Sequence, residues 1–178
     1  MKAAIYPGSF DPMTIGHKNI IERSSRLFDR IIVAIMVNPD KKGFFSFAER
    51  KKIAELSLAD IENVTVMTAD GYLADLAAAL GACAIIKGVR NADDFEYEQE
   101  MAAFNHDRNP HCETMYLPAY GDMSDVSSSL VRRAACEEDV LRLIDRNTSE
   151  NWEGSRYKHI RKDLKNERRI YKSRRCSP

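Results

Sequence analysis

The 178-residue sequence lacks a net charge, closely paired cysteines and long apolar stretches. Lys and Arg together number 27, as do Asp and Glu, which argues against a uniformly basic nucleic-acid binder and an acidic disordered chain. The four cysteines form no CxxC pair, so no zinc site is predicted and a reducing compartment is favoured. There is no apolar run of about 18 residues and no secretory signal, so we expect a soluble cytoplasmic protein without a membrane partner.

The neutral total hides an uneven distribution of charge. Residues 154–178 contain ten Lys or Arg against Asp163 and Glu167, a net +8, which leaves −8 for the first 153 residues. We predict one domain over residues 1–150 and a basic extension over residues 151–178. The extension could pack on the acidic body, stay solvated or bind RNA. Apolar residues such as Tyr157 and Ile160 favour the first two, which makes nucleic acid an unlikely partner.

Short β-branched runs alternate with segments of helical period, which predicts an α/β fold around a parallel sheet. The predicted strands are Ala3–Tyr6, Ile31–Val37, Val64–Thr68, Ala82–Lys87 and Thr114–Leu117. The predicted helices are Gly16–Phe28, Ser46–Leu58, Gly71–Leu80, Ala92–Asn105 and one that begins near Ser127. Residues 137–149 could also be helical, with a break at Asn147–Ser149.

A turn-rich loop, GSFDPMTIGH, joins the first strand to the first helix at residues 8–17. It lies at the carboxyl edge of the predicted sheet, where ligands bind in open α/β folds. Gly8 and Gly16 would allow close backbone approach, Ser9 and His17 supply donors, and the helix start favours an anion. The alternative is an ordinary βα turn with His17 on the helix surface.

Further cations and hydroxyls follow other strands. Lys41 and Lys42 come after the second strand, Lys87-Gly88-Val89-Arg90 ends the fourth, and three serines, Ser127 to Ser129, open a helix. Each could contact a phosphate. The alternatives are a solvated basic loop and simple N-capping.

These motifs together resemble the nucleotidyltransferase family with the T/HxGH signature, and most closely its bacterial phosphopantetheine adenylyltransferase branch. The similarity covers about residues 5–132, and Thr14, where related enzymes often have histidine, favours this branch over the nicotinamide mononucleotide and cytidylyl branches. It implies a Rossmann-like open parallel five-stranded sheet with helices on both faces. It also implies transfer of the adenylyl group of ATP to 4′-phosphopantetheine, which gives dephospho-coenzyme A and pyrophosphate.

The resemblance also implies roles for individual residues. The catalytic residues would be His17, Lys41 and Arg90. ATP would bind Ser9, Phe10, His17, Gly88, Val89, Arg90, Glu98, Met123, Ser124, Asp125, Val126, Ser127, Ser128 and Ser129. The acceptor would bind Ser9, Lys41, Leu73, Lys87, Met101 and Asn105, although the family usually has arginine where Lys87 stands.

No protein metal site is implied, because Mg²⁺ would be held mainly through the ATP phosphates, and Asp11 is expected to brace its loop. The family further implies a homohexamer and feedback inhibition by coenzyme A. Two alternatives stay open: a related nucleotidyltransferase with another phosphate acceptor, and an RNA-binding protein that uses the basic extension.

Overall fold

The computed structural model describes residues 1–36, 43–133, 140 and 142–151. Its strands are β1 Ala3–Gly8, β2 Arg30–Met36, β3 Val64–Ala69, β4 Ala82–Val89 and β5 Glu113–Pro118. Its helices with described bounds are α1 Ile15–Ser25, α2 Phe47–Ser57, α3 Leu73–Ala79, α4 Ala92–Arg108, α5 Ser128–Arg133 and α6 Arg146–Asn151, with a 3₁₀ turn at Gly121–Ser124. The five predicted strands are therefore confirmed, and so is the predicted alternation of strands and helices.

All five strands pair in parallel, in the order β3-β2-β1-β4-β5. The chain builds the sheet outwards from β1 to β3, then crosses back to place β4 on the other side of β1. The strand order thus reverses between β1 and β4, and open α/β sheets bind ligands in the crevice beyond the carboxyl ends of such strands. The fold is the predicted Rossmann-like one.

The central strands are buried on both faces, as their continuous apolar sequences predict. Ile31 to Ile35 of β2 are each at most 2% exposed. One apolar cluster joins the sheet to α1 and α2 through residues such as Ile21 and Ile53. A second cluster on the opposite face contains Ala77 of α3. The helices therefore cover both faces and leave the strand ends free to form a site.

The starts of α1 and α2 are each fixed by a capping box. Ser46 and Glu49 form the predicted capping box of α2, with Ser46 N donating to Glu49 Oε2 over 2.8 Å. Thr14 caps α1, and the third residue of that helix is His17 rather than the usual Glu or Gln. The cap of α1 therefore determines the orientation of a predicted site residue.

The prediction of a break at Asn147–Ser149 is wrong, because these residues lie within α6. The helix begins after Asp145, whose Oδ1 accepts from Asn147 N of the first turn over 2.8 Å. Thr148 is buried and lies 2.6 Å from the Ser57 hydroxyl of α2. A polar residue at this position thus joins two helices.

Other boundaries differ by a few residues. α1 ends at Ser25 instead of Phe28, and α3 begins at Leu73 because Gly71 has φ = 76° and cannot continue a helix. α4 extends to Arg108, three residues beyond its predicted end. In the described part of the chain, no helix has the length and apolar character needed to cross a bilayer.

Candidate active site

A cavity of about 360 Å³ opens at the carboxyl ends of β1 and β4. Its wall combines the loop after β1, the start of α1, the end of β4, the first turns of α4 and the start of α5. This is the crevice that the reversal of strand order predicts. Segments far apart in the sequence thus contribute to one site.

The loop after β1 is held by packed aromatic rings. Phe10 has φ = 42°, a left-handed conformation that is uncommon for a residue with a side chain, and it is 2% exposed. Its ring contacts those of Tyr6 and His17 edge to face, with centroid distances of 5.6 and 5.2 Å. A Cβ added at Gly8 would lie 2.8 Å from the Phe10 ring, so glycine leaves room for this ring.

The hydrogen bonds of His17 determine where its imidazole carries a proton. Thr14 N donates to His17 Nδ1 over 3.1 Å, so Nδ1 is an acceptor and the proton of the neutral ring lies on Nε2. Burial, with a smaller contribution from the positive charge of Arg90, lowers the pKa of His17 to about 4. His17 therefore presents a neutral Nε2–H group in the wall of the cavity.

Asp11 connects the loop to the next part of the chain. Its carboxylate accepts from Phe44 N and Phe45 N over 2.7 and 2.8 Å, and Arg50 Nε lies 3.2 Å away. Arg132 of α5 donates to the Asp11 carbonyl oxygen. Since Asp11 is only 7% exposed and its oxygens are occupied, the structure gives it the bracing role expected from the sequence.

Two cations at the end of β4 are each paired with a carboxylate of α4. Lys87 Nζ lies 2.6 Å from Glu98 Oε2. Arg90 donates to Asp94 through Nε and Nη2, over 2.8 and 3.1 Å. Between them, a Cβ at Gly88 would lie 3.2 Å from Ile20, a tight contact, so the absence of a side chain here leaves room for Ile20.

The three serines at the start of α5 all use their hydroxyls within the chain. Ser127 Oγ accepts from Leu130 N, which is the N-capping alternative. Ser128 Oγ donates to Pro12 O over 2.7 Å, and Ser129 Oγ accepts from Arg132 Nη2. The Ser128 hydroxyl therefore joins α5 to the first loop, and all three serines still border the cavity.

Most residues predicted from the motifs meet in this cavity. Those in its wall are Ser9, Phe10, His17, Lys87, Gly88, Arg90, Glu98, Met123, Val126, Ser127, Ser128 and Ser129. Val89, Ser124 and Asp125 are adjacent in sequence but are not in the wall, and neither are Leu73, Met101 and Asn105. Lys41 lies outside the described residues, as does the basic extension beyond residue 151.

The wall also contains Tyr6, Asp94 and Arg132, which were not among the predicted site residues. Arg132 ends the Ser-Ser-Ser-Leu-Val-Arg motif, and its spacing from the serines was an available signal. Asp94 follows Arg90 by four residues across a strand-to-helix turn, so their pairing depends on the turn. Tyr6 lies within a strand, where an aromatic residue is typical of the core.

The carboxylates of the site offer little to a metal ion. The described residues contain no group of three or more His, Cys, Asp or Glu side chains with the geometry of a metal site. Asp94, Glu98 and Asp11 each contact a cation or backbone donors instead. The arrangement is suited to an anion, because donors and cations converge on the cavity.

Similarity to known proteins identifies the broad class of protein to which the chain belongs. Residues 5–134 match the family described as cytidylyltransferase-like. Solved structures with a similar fold include the nicotinic acid mononucleotide adenylyltransferase of Plasmodium falciparum complexed with NaAD, at 16% identity and a TM-score of 0.60 over 84% of this chain and 93% of that one. A second is described as a putative nicotinate-nucleotide adenylyltransferase from Vibrio parahaemolyticus, at 20% identity and a TM-score of 0.61, over 84% of this chain and 91% of that one. These likenesses confirm the nucleotidyltransferase fold.

Sequence relatives define the family more narrowly. Phosphopantetheine adenylyltransferases from Clostridium tetani and Caldanaerobacter subterraneus are 45% and 49% identical, each over 76% of this chain and 84% of the relative. That of Limosilactobacillus fermentum is 39% identical over 94% of this chain and 97% of its own. The chain belongs to the phosphopantetheine adenylyltransferase family, as its motifs predict.

Proposed function

We propose that this cavity binds ATP and 4′-phosphopantetheine and transfers the adenylyl group between them, giving dephospho-coenzyme A and pyrophosphate. Membership of the family supports the reaction, and the geometry supports its location. The observation that carries the proposal is the tautomer of His17. Because Thr14 N occupies Nδ1, the Nε2–H group is available to a phosphate in a cavity that also contains Lys87 and Arg90.

The chemistry requires alignment and charge stabilisation more than proton transfer. An oxygen of the acceptor phosphate, already anionic, forms a bond to the α-phosphorus of ATP, and the bond from that phosphorus to the bridging oxygen of pyrophosphate breaks. No strong general base is needed, because the attacking oxygen carries no proton. His17 would donate through Nε2 to the α-phosphate as charge develops, and Arg90 would hold the departing phosphates.

The other ATP contacts follow the loop geometry. Ser9 and the Phe10 backbone would contact phosphates next to the start of α1. Gly88 and Val89 would contribute backbone groups beside Arg90, and Glu98 would lie near the adenosine. The segment Met123–Ser129 would close over the nucleotide, chiefly through backbone atoms, since the three serine hydroxyls have partners within the chain.

The acceptor is expected to lie at the α3–α4 side of the cavity. Ser9, Lys87 and Lys41 would contact its phosphate, and Leu73, Met101 and Asn105 would border its pantetheine arm. Met101 is 37% exposed, which leaves surface for a ligand, whereas Asn105 is 6% exposed. These assignments rest on the family resemblance and stay predictions.

Mg²⁺ would be bound mainly by the ATP phosphates, where it would neutralise charge on the triphosphate. The described residues fit this mode, because the carboxylates of the site are already paired and Lys87 and Arg90 would share the phosphate charge with the ion. A cytoplasmic homo-oligomer, a hexamer by family resemblance, and inhibition by coenzyme A complete the proposal.

An acceptor screen tests the function directly. The purified protein is incubated with ATP or CTP and with 4′-phosphopantetheine, nicotinamide mononucleotide or a phosphosugar, and release of pyrophosphate is measured. We expect ATP and 4′-phosphopantetheine to be the productive pair. Faster pyrophosphate release with another acceptor would show that the chain is a related nucleotidyltransferase instead.

A further inference from the structure

The cavity contains its own anions. Among the described residues that line it, the only carboxylates are Asp94 and Glu98, which lie four residues apart and therefore on one face of α4. Each contacts one of the two cations at the end of β4. The positive charge that would bind phosphate is thus neutralised from within the protein.

We propose that Asp94 and Glu98 are internal counter-ions, which the phosphates of the two substrates displace from Arg90 and Lys87. The proposal rests on the function proposed above and adds a determinant of affinity to it. A bidentate arrangement like that of Asp94 on Arg90 is the one that a phosphate would adopt on the same guanidinium, so the two anions compete for one set of donors.

The two ion pairs differ in how readily a phosphate could replace the carboxylate, and the Arg90–Asp94 pair is the more accessible. The side chains of Arg90 and Asp94 are 40% and 27% exposed, so water can solvate Asp94 when it separates from Arg90. Glu98 Oε2 is buried without an aligned hydrogen-bond donor, although Lys87 Nζ lies 2.6 Å away. At the more exposed Arg90–Asp94 pair, a phosphate, which carries more charge than a carboxylate, can replace Asp94 at modest cost.

The counter-ions also have a consequence for selectivity. An anion that binds Arg90 or Lys87 must displace a carboxylate, and it meets repulsion from that carboxylate until it does. A singly charged ion gains little from this exchange, whereas a diphosphate or triphosphate brings more charge to the cation than the carboxylate it replaces. Asp94 and Glu98 would therefore discriminate against small anions in favour of polyphosphates.

The test is the affinity for inorganic pyrophosphate, measured by calorimetry in low-salt buffer without divalent cations. Asp94→Asn keeps the shape and an acceptor for Arg90 but removes the charge. We expect it to bind pyrophosphate roughly two- to fivefold more tightly than the unaltered protein, which is the scale of a partly exposed ion pair. The gain should shrink in high salt.

Asp75→Asn is the matched control. Asp75 lies in the first turn of α3 and binds Arg108 through two bonds of 2.7 Å, away from the cavity. This variant should leave pyrophosphate affinity unchanged. An equal gain in both variants would reduce the effect to net charge and overturn the proposal.

Unchanged or weaker binding by Asp94→Asn would also overturn it, and would mean that Asp94 positions Arg90 for the ligand. The outcome is independent of turnover, because pyrophosphate binding requires no acceptor. Tighter binding by Asp94→Asn in a protein that fails the acceptor screen would contradict the proposed function and support the counter-ions. Normal turnover in the acceptor screen, with no gain in pyrophosphate affinity for Asp94→Asn, would support the proposed function and contradict the counter-ions.

Discussion

The imidazole of His17 should remain neutral until the pH falls to about 4, far below the ordinary value of 6.5. Burial disfavours the imidazolium, and Arg90 repels it. Protonation would also convert Nδ1 into a donor that faces the Thr14 N–H group. In an NMR titration of the histidine Cε1–H signals, one resonance, assigned by its loss in His17→Gln, should change with a midpoint near pH 4.

The lowered pKa of His17 should also make the folding stability depend on pH. Between pH 6.5 and 4 the unfolded chain binds a proton at this residue and the folded protein does not, so folding stability falls as the pH falls. At pH 4.5 the loss from His17 amounts to at most about 2 to 3 kcal/mol of unfolding free energy, relative to pH 7. Urea unfolding of the unaltered protein and His17→Gln at both values measures it.

The advantage of the unaltered protein over His17→Gln should therefore decrease towards pH 4.5. A midpoint near 6.5 in the NMR titration would refute the reasoning. So would an equal loss of stability in the two proteins, because the lost free energy would then come from other groups.

Two further substitutions test the packing that supports the site. Gly8→Ala would place a Cβ 2.8 Å from the ring of Phe10. We expect it to lower the free energy of unfolding in urea by about 1–3 kcal/mol and to reduce turnover. A variant as active and as stable as the unaltered protein would contradict this packing. Thr148→Val would leave the buried hydroxyl of Ser57 without its 2.6 Å partner and should cost about 1–3 kcal/mol with kcat unchanged, so an unaltered unfolding midpoint would argue against that contact.

Local patterns were sufficient to predict the framework of the fold. The apolar run Ile31 to Ile35 predicts a strand covered on both faces, and Ser46 with Glu49 predicts a helix start, because both depend on neighbouring residues. The prediction of a break near Asn147 was wrong because contacts with other residues outweigh local propensity there. Propensity favours a turn there, whereas the cap at Asp145 and the contact of Thr148 with Ser57 favour a helix.

The motifs were also sufficient to predict most of the segments that line the cavity. They could not predict the protonation and ion pairing of the side chains there, because both depend on contacts between segments. The neutral tautomer of His17 requires the cap geometry of Thr14, and the pairing of Lys87 with Glu98 requires the packing of α4 on β4. Gly88, which is expected to admit a phosphate, lies in the cavity wall, and the structure adds that it also leaves room for Ile20.

We propose that the Nε2–H group of His17 stabilises charge in the transition state of adenylyl transfer. The direct measurement is kcat and KM of His17→Ala with ATP and 4′-phosphopantetheine, followed by pyrophosphate release. We expect His17→Ala to lower kcat by roughly 10²- to 10³-fold while both KM values change much less. This pattern follows when a donor that acts in the transition state is lost. An unchanged kcat, with an increase in KM alone, would contradict it.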